Sequence, residues 1–437
     1  MTPHDAIRTA LRPVADVEDC RMVVDFIGDA ELALIGEASH GTHEFYASRA
    51  NMTRQLILQS GFRAVVVEAD WPDAYRVNKY VRHESRDASA VAALEDFKRF
   101  PTWMWRNADV VAFVEWLREH NEGLPREQQV GFYGMDLYAL FSSMRAVIDY
   151  LRRTNPDAAR RAQERYACFD RFGEDPQAYA HAEMFELESC EDAVVEVLRN
   201  LQRRSSELAI DDALGRDAYF FAEQNARLVK NAEEYYRTMF RGGPQSWNLR
   251  DQHMAGTIEA LRNYLSEADN PAKLAVWAHN SHLGDARATQ LGQHGQLNVG
   301  QLMRERLPGN TALIGYTTAH GTVTAASDWG EPVEMKRVRP AHPDSYEHLF
   351  HELSTPRFFL PLGSESVHDA LKTPRLERAI GVIYRPETER QSHYFHASLS
   401  SQFDAVLHFD HTSAVRPLET HAQWTLPEMP ETFPTGV

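Results

Sequence analysis

Short, uninterrupted apolar runs that end abruptly in polar clusters mark both ends of the chain. LALI at 32–35 runs into Gly36-Glu37-Ala-Ser-His40, and AVVV at 64–67 runs into Glu68-Ala-Asp70. VGFYGM at 130–135 ends on Asp136, and KLAVWA at 273–278 on His279-Asn-Ser-His282. Apolar runs of this length, rich in β-branched and aromatic residues, are how strands covered on both faces of a parallel sheet read. The spacing predicts one or two short helices in residues 1–30, a strand at about 31–36 and a helix at 42–59 that stops at Gly61. A second strand reaches Val67, completing a βαβ unit. The stretch 90–121 reads as helical and aromatic, and 129–134 as a strand.

The pattern changes from about 138 to 270, where no strand signal stands out. Val194, Val197, Leu198 and Leu201 keep helical spacing, as do Phe221, Leu228, Ala232, Tyr235 and Met239, and then Met254, Ile258, Leu261 and Leu265. Strand patterns return at 273–278, 311–317, 322–326, 380–384 and 404–409. The expected fold class is α/β, with a mixed, largely parallel sheet flanked by helices. Residues 1–137 and 271–437 form this discontinuous domain, and an all-helical subdomain is inserted at 138–270.

With 437 residues, 43% hydrophobic and 25% charged, the composition is that of a globular chain able to bury a large core. A formal charge of −17 argues against nucleic acid, whose binding rests on clustered Lys and Arg. No apolar run reaches the ~18 residues of a membrane helix, and the N-terminus lacks an apolar signal core. Cys20, Cys168 and Cys190 are far apart and form no C-x-x-C pair, so free thiols in a reducing, cytoplasmic compartment are expected.

Ligands of open parallel sheets bind at the carboxyl ends of the strands. Glu37, His40, Glu68, His279 and His282 therefore gather in one pocket, although each could also be an ordinary turn or cap residue. Gly36 and Gly41 beside the first cluster permit close backbone approach. Arg49 lies in the inward stripe of its helix with Phe45, Met52 and Leu56. A guanidinium there needs a partner, and Glu37 or Glu68 would serve. Imidazoles among carboxylates make an acid–base site or a metal site. His43 and Asp136 are further candidates for lining it. So are Trp105 and Arg106 of PTWMWRNADV, and Asn248 and Arg250 of SWNLRDQHMA; their ordinary alternatives are core packing and helix capping. Asp70 reads as structural. The chain has no G-x-S-x-G, no G-x-x-x-x-G-K, no G-x-G-x-x-G and no H-E-x-x-H. Water activated by His and carboxylate, or by a metal they hold, is the remaining chemistry.

The order and spacing of GEASHGTHEF, the downstream Arg49, VVVEADWP and WAHNSHLGD resemble the erythromycin esterase family, and the likeness spans nearly the whole chain. The resemblance implies an α/β catalytic domain with a helical subdomain, and hydrolysis of a macrolactone or other carboxylic ester by a histidine-activated water. By position it assigns the general base to His40 and the other active-site polar residues to Glu37, Arg49, Glu68, His279 and His282. No cofactor is required on this reading; a divalent metal held by the same His and Glu residues is the alternative, and a small-molecule binder without turnover is another. The expected partner is a small-molecule substrate, with neither nucleic acid nor membrane.

Overall fold

The computed structural model describes residues 2–173, 175–183, 189–203, 213–241, 243–267 and 270–419. Thirteen strands lie among the described residues: β1 (Arg12–Pro13), β2 (Leu32–Ile35), β3 (Phe62–Asp70), β4 (Gly131–Asp136), β5 (Lys273–Trp277), β6 (Thr311–Thr317), β7 (His320–Ala325), β8 (Glu334–Val338), β9 (Arg357–Pro361), β10 (Arg375–Arg378), β11 (Tyr394–Ala397), β12 (Ala405–Phe409) and β13 (His411–Thr412). Eight form the central sheet in the order β1-β9-β12-β6-β2-β5-β3-β4. β3, β5, β2, β6 and β12 run parallel to their neighbours in that series, while β9 is antiparallel to both β12 and β1. The fold is thus the expected mixed, largely parallel α/β sheet with many flanking helices.

The apolar runs become the centre of this sheet because both faces are covered. All four residues of β2 and Ala64–Val67 of β3 are fully buried, as are Leu274–Val276 of β5. Register then fixes what the strand ends can do. Ile35 pairs with Trp277, and Trp277 pairs with Val67. Glu37 and His279 each follow that level by two residues and Glu68 by one, so their side chains emerge together at one edge.

The chain divides into two compact units. One contains residues 1–68, 76–133 and 259–437, the other 69–75 and 134–258. The helical unit runs over 134–258 where 138–270 was expected, and it also takes in the short segment after Glu68. Its helices include Leu140–Thr154, Pro156–Tyr166, Glu191–Arg203 and Ala213–Thr238. Val194, Val197 and Leu201 are buried there, as are Leu228, Ala232, Tyr235 and Met239.

Several expectations need correction. The stretch 90–121, expected to be helical, is helical only in pieces: a short helix at Ala90–Ala93, a 3₁₀ turn at Thr102–Met104 and a helix at Ala108–Asn121, interrupted near Pro101. The segment 380–384 is not a strand. Ile380 and Ile383 make isolated bridges, to Ser39 and Ala326. The strand expected at 322–326 exists as β7 but belongs to a separate sheet with β8 and β13. β9 went unpredicted because RFFLP is short, begins with an exposed Arg and ends in Pro. The free-thiol expectation also fails for two of three cysteines. Cys168 and Cys190 are disulfide-bonded, with Cα atoms 6.0 Å apart, because turns within the helical unit bring together residues whose spacing carries no motif. The expectation of a reducing compartment loses that support. Cys20 is free and buried, and burial pushes its thiol up to about 12. No helix among the described residues is long and apolar enough to cross a membrane.

Candidate active site

The turn after β2 is held open and rigid by its neighbours. His40 N–H donates to the Ile380 carbonyl at 3.2 Å, and Ile380 N–H returns a bond to Ala38 at 2.9 Å. A Cβ at Gly36 would strike the Asn280 side chain, and one at Gly41 the backbone of Thr324. Both glycines are therefore needed for close approach. Asn280 N–H donates to the Glu37 carbonyl at 2.8 Å, tying the ends of β2 and β5 together directly.

Six expected residues converge here: Glu37, His40, Arg49, Glu68, His279 and His282. Their exposures run from 0% to 5%, so the cluster is enclosed rather than lying in an open cleft. Glu37 Oε1 accepts from His40 Nδ1 at 2.9 Å. Its other oxygen lies 2.8 Å from Arg49 Nη2, an ion-pair contact whose angle makes no hydrogen bond. Arg49 is held instead by rings, 4.5 Å from the Tyr46 centroid and 5.2 Å from that of Trp277. Its Nε and Nη1 have no hydrogen-bond partner among the described residues. Glu68 accepts from the His279 backbone N–H at 2.9 Å and sits 3.4 Å from His282 Nε2. Tyr46 is fully buried, and that burial raises its phenol well above the ordinary range.

The two central imidazoles hold opposite tautomers. The Ser281 backbone N–H, which can only donate, points at His279 Nδ1 at 3.2 Å. His279 Nδ1 is therefore an acceptor and Nε2 carries the proton. Burial, then the His40 imidazole beside it, lowers the His279 pKa well below the ordinary value, so the ring is neutral. Its Nε2–H has no partner. His40, by contrast, spends its Nδ1–H on Glu37, which places the acceptor lone pair of the imidazole at Nε2. The two rings lie 4.9 Å apart, tilted by 51°.

The other candidates have partners of their own. His43 Nδ1 is 2.9 Å from both Asp109 oxygens, and this bond raises its pKa against an opposing effect of burial. Trp105 is buried beside Phe97, and Arg106 hydrogen-bonds Glu419. Asp136, Asn248 and Arg250 belong to the helical unit. There Asp136 receives two bonds from Arg250, at 3.0 Å to Oδ1 and 2.7 Å to Oδ2. The Asn248 backbone N–H donates to Pro244. Asp70 Oδ1 accepts from Ala139 N–H at 3.0 Å, a structural bond as expected. Sequence reasoning missed Tyr46 and Trp277, the rings that hold Arg49. Tyr46 lies three residues before Arg49, on the same helix face, which was the available signal.

Comparison with known proteins identifies the family. The family model described as erythromycin esterase matches residues 57–412. The erythromycin esterase type II of Escherichia coli is 21% identical over 72% of this chain and 75% of its own length. The type I enzyme of the same species is 24% identical over 72% and 77%. The structure of an erythromycin esterase mutant, EreC, in its open conformation superposes with a TM-score of 0.64 at 18% identity, covering 93% of this chain and 96% of that one, which shows a shared fold. The chain belongs to the erythromycin esterase family and is a hydrolase.

Proposed function

We propose that the protein hydrolyses a carboxylic ester, with macrolactones such as the substrate that names its relatives as the first class to test, using a water activated by His40. The opposed tautomers of His40 and His279 carry this reading. One ring offers a lone pair and the other an unpartnered N–H, 4.9 Å apart centre to centre, as addition of water to a carbonyl requires. His40 Nε2 takes a proton from water while the water oxygen bonds to the acyl carbon. The carbonyl π electrons move onto oxygen, which accepts the His279 Nε2–H. Collapse breaks the bond to the alcohol oxygen, and the leaving alkoxide recovers the proton from His40. Glu37 fixes the His40 ring and balances its transient charge. Arg49, clamped by Tyr46 and Trp277, balances Glu37, so the oxyanion role falls on His279 rather than on Arg49. Glu68 positions the His279 segment and His282. Because the cluster is enclosed, substrate enters only when covering segments move.

A metal-assisted route is the rival. One feature weighs against it here: no three donor atoms of this cluster lie within 4.8 Å of one another. No step is therefore routed through a metal. The experiment is a panel of macrolides and aryl esters assayed with wild type and His40→Asn, with and without chelator. The expected outcome is a loss of at least ~10²-fold in kcat with an unchanged melting temperature and no chelator effect on wild type. A folded His40→Asn with near-normal turnover defeats the assignment, and binding without turnover by wild type across the panel would favour a passive binder.

A further inference from the structure

A second cluster of chemistry-bearing side chains, sharing no residue with the one above, lies where three separate segments meet. His320 opens β7, His351 closes the helix Tyr346–His351, and Asp410 sits between β12 and β13. Each offers one donor atom, and these atoms all lie within 4.8 Å of one another. We propose that His320, His351 and Asp410 form a binding site for a divalent late transition-metal ion of the zinc class.

The backbone prepares two of the three ligands. His320 N–H donates to the Asp410 carbonyl at 3.1 Å, Asp410 N–H donates to Pro356 at 2.8 Å, and β13 pairs with β7 through His411 and His320. The third is adjustable. His351 is half exposed, with Nδ1 2.7 Å from Asp410 Oδ1. Around zinc, ligand bonds of ~2.0–2.1 Å put neighbouring donors about 3.3 Å apart. The three donor atoms already lie within 4.8 Å of one another, and the ion would take the place of the proton now shared by His351 and Asp410.

The carboxylate also has the support a ligating group needs. His408 is fully buried, with Nδ1 2.9 Å from Thr317 Oγ1 and Nε2 3.4 Å from Asp410 Oδ1. Thr317 O–H donating to Nδ1 leaves the Nε2–H directed at Asp410. The His411 ring lies 5.2 Å from that of His320, available as a fourth donor or as a wall beside a bound water. Two imidazoles and one carboxylate suit zinc, cobalt, nickel or iron(II) better than magnesium or calcium, which prefer oxygen. An ion here would clip β7, β12 and the Tyr346 helix across a wide sequence separation.

The test is equilibrium binding of zinc to the full chain after chelator treatment and dialysis. Stoichiometry comes from calorimetry and the ligand set from the visible spectrum of the cobalt(II) form. Wild type, His351→Ala, Asp410→Asn, His40→Asn and the exposed control His294→Ala are compared. The proposal expects one ion bound by wild type, His40→Asn and His294→Ala, and affinity at least ~10-fold weaker in His351→Ala and Asp410→Asn. His351 is exposed enough that its removal leaves the fold intact, which circular dichroism checks. No zinc binding by wild type, equal binding by His351→Ala, or loss of the ion in His40→Asn in place of His351→Ala would each overturn it.

Discussion

Two buried charge clusters in this molecule look alike in composition and differ in how completely they are satisfied. In the helical unit, Arg250 and Asp136 are 4% exposed and bind each other through two hydrogen bonds. Asp136 Oδ1 also accepts from Leu137 N–H, and His253 Nδ1 pairs with Asn231. Burial lowers His253 to about 3, so it is neutral. At the ends of β2 and β5 the burial is as deep, yet Glu37 Oε2, His279 Nε2–H and the Nε and Nη1 of Arg49 have no hydrogen-bond partner. Leaving a buried polar atom unmade costs ~1–3 kcal/mol. A fold that tolerates several such costs in one place, and closes a similar cluster elsewhere, marks the open one as the place where something else binds. Residue type alone does not separate the two clusters; the count of unspent donors and acceptors does.

The sharpest way to break the comparison is to break the closed pair. Arg250→Met strands the Asp136 carboxylate, and removing one partner of a buried pair costs ~3–5 kcal/mol. The expected result in denaturant unfolding is a loss of that size in the transition of the helical unit, with kcat per folded molecule near wild type. If stability holds and kcat collapses, Asp136 and Arg250 belong to the reaction. Next comes the open cluster. His279→Phe keeps the ring volume and removes the Nε2–H. Loss of one oxyanion donor lowers kcat ~10²–10³-fold, while KM for a simple aryl ester changes little. A rise confined to KM would make His279 a binding residue and return the oxyanion to Arg49.

Much of this site was legible because a strand end is a local signal. Glu37, Glu68 and His279 could be placed together from three apolar runs, since parallel strands in register deliver their last residues to one edge. Arg49 was legible as a charge inside an apolar stripe. The clamp around it was not, because Trp277 meets Arg49 from β5, far away in sequence, and nothing local distinguishes it from a core Trp. The tautomers were also illegible: they depend on a single backbone N–H, that of Ser281, turned toward an imidazole nitrogen. In the fold, β9 and the bridges of Ile380 and Ile383 depend on partners far away in sequence, and Cys168 with Cys190 on how helical turns stack. Asp136 and Arg250 show the reverse limit of reading residue types. Each has the composition of a site residue, and only their mutual geometry shows that they are spent.

His43 offers the smallest test, at the border between the two kinds of cluster. It belongs to the same motif as His40 but pairs with Asp109, in the first turn of the helix Ala108–Asn121. That bond raises the His43 pKa above its ordinary 6.5, with burial acting in the other direction. A raised histidine stabilises the fold fully below about 6.5 and loses that contribution as pH climbs through its folded value. The ring is 44% exposed, so solvent screening holds the effect below ~1 kcal/mol. Asp109→Asn should lower the melting temperature slightly at pH 5.5, and the gap to wild type should narrow by pH 8.5. Some difference will persist, because Asp109 also favours the N-terminus of its helix at every pH in that range. Turnover should be unaffected. If kcat falls with Asp109→Asn while the pH dependence of stability is unchanged, His43 is coupled to the open cluster, and the division between spent and unspent groups must be redrawn to include it.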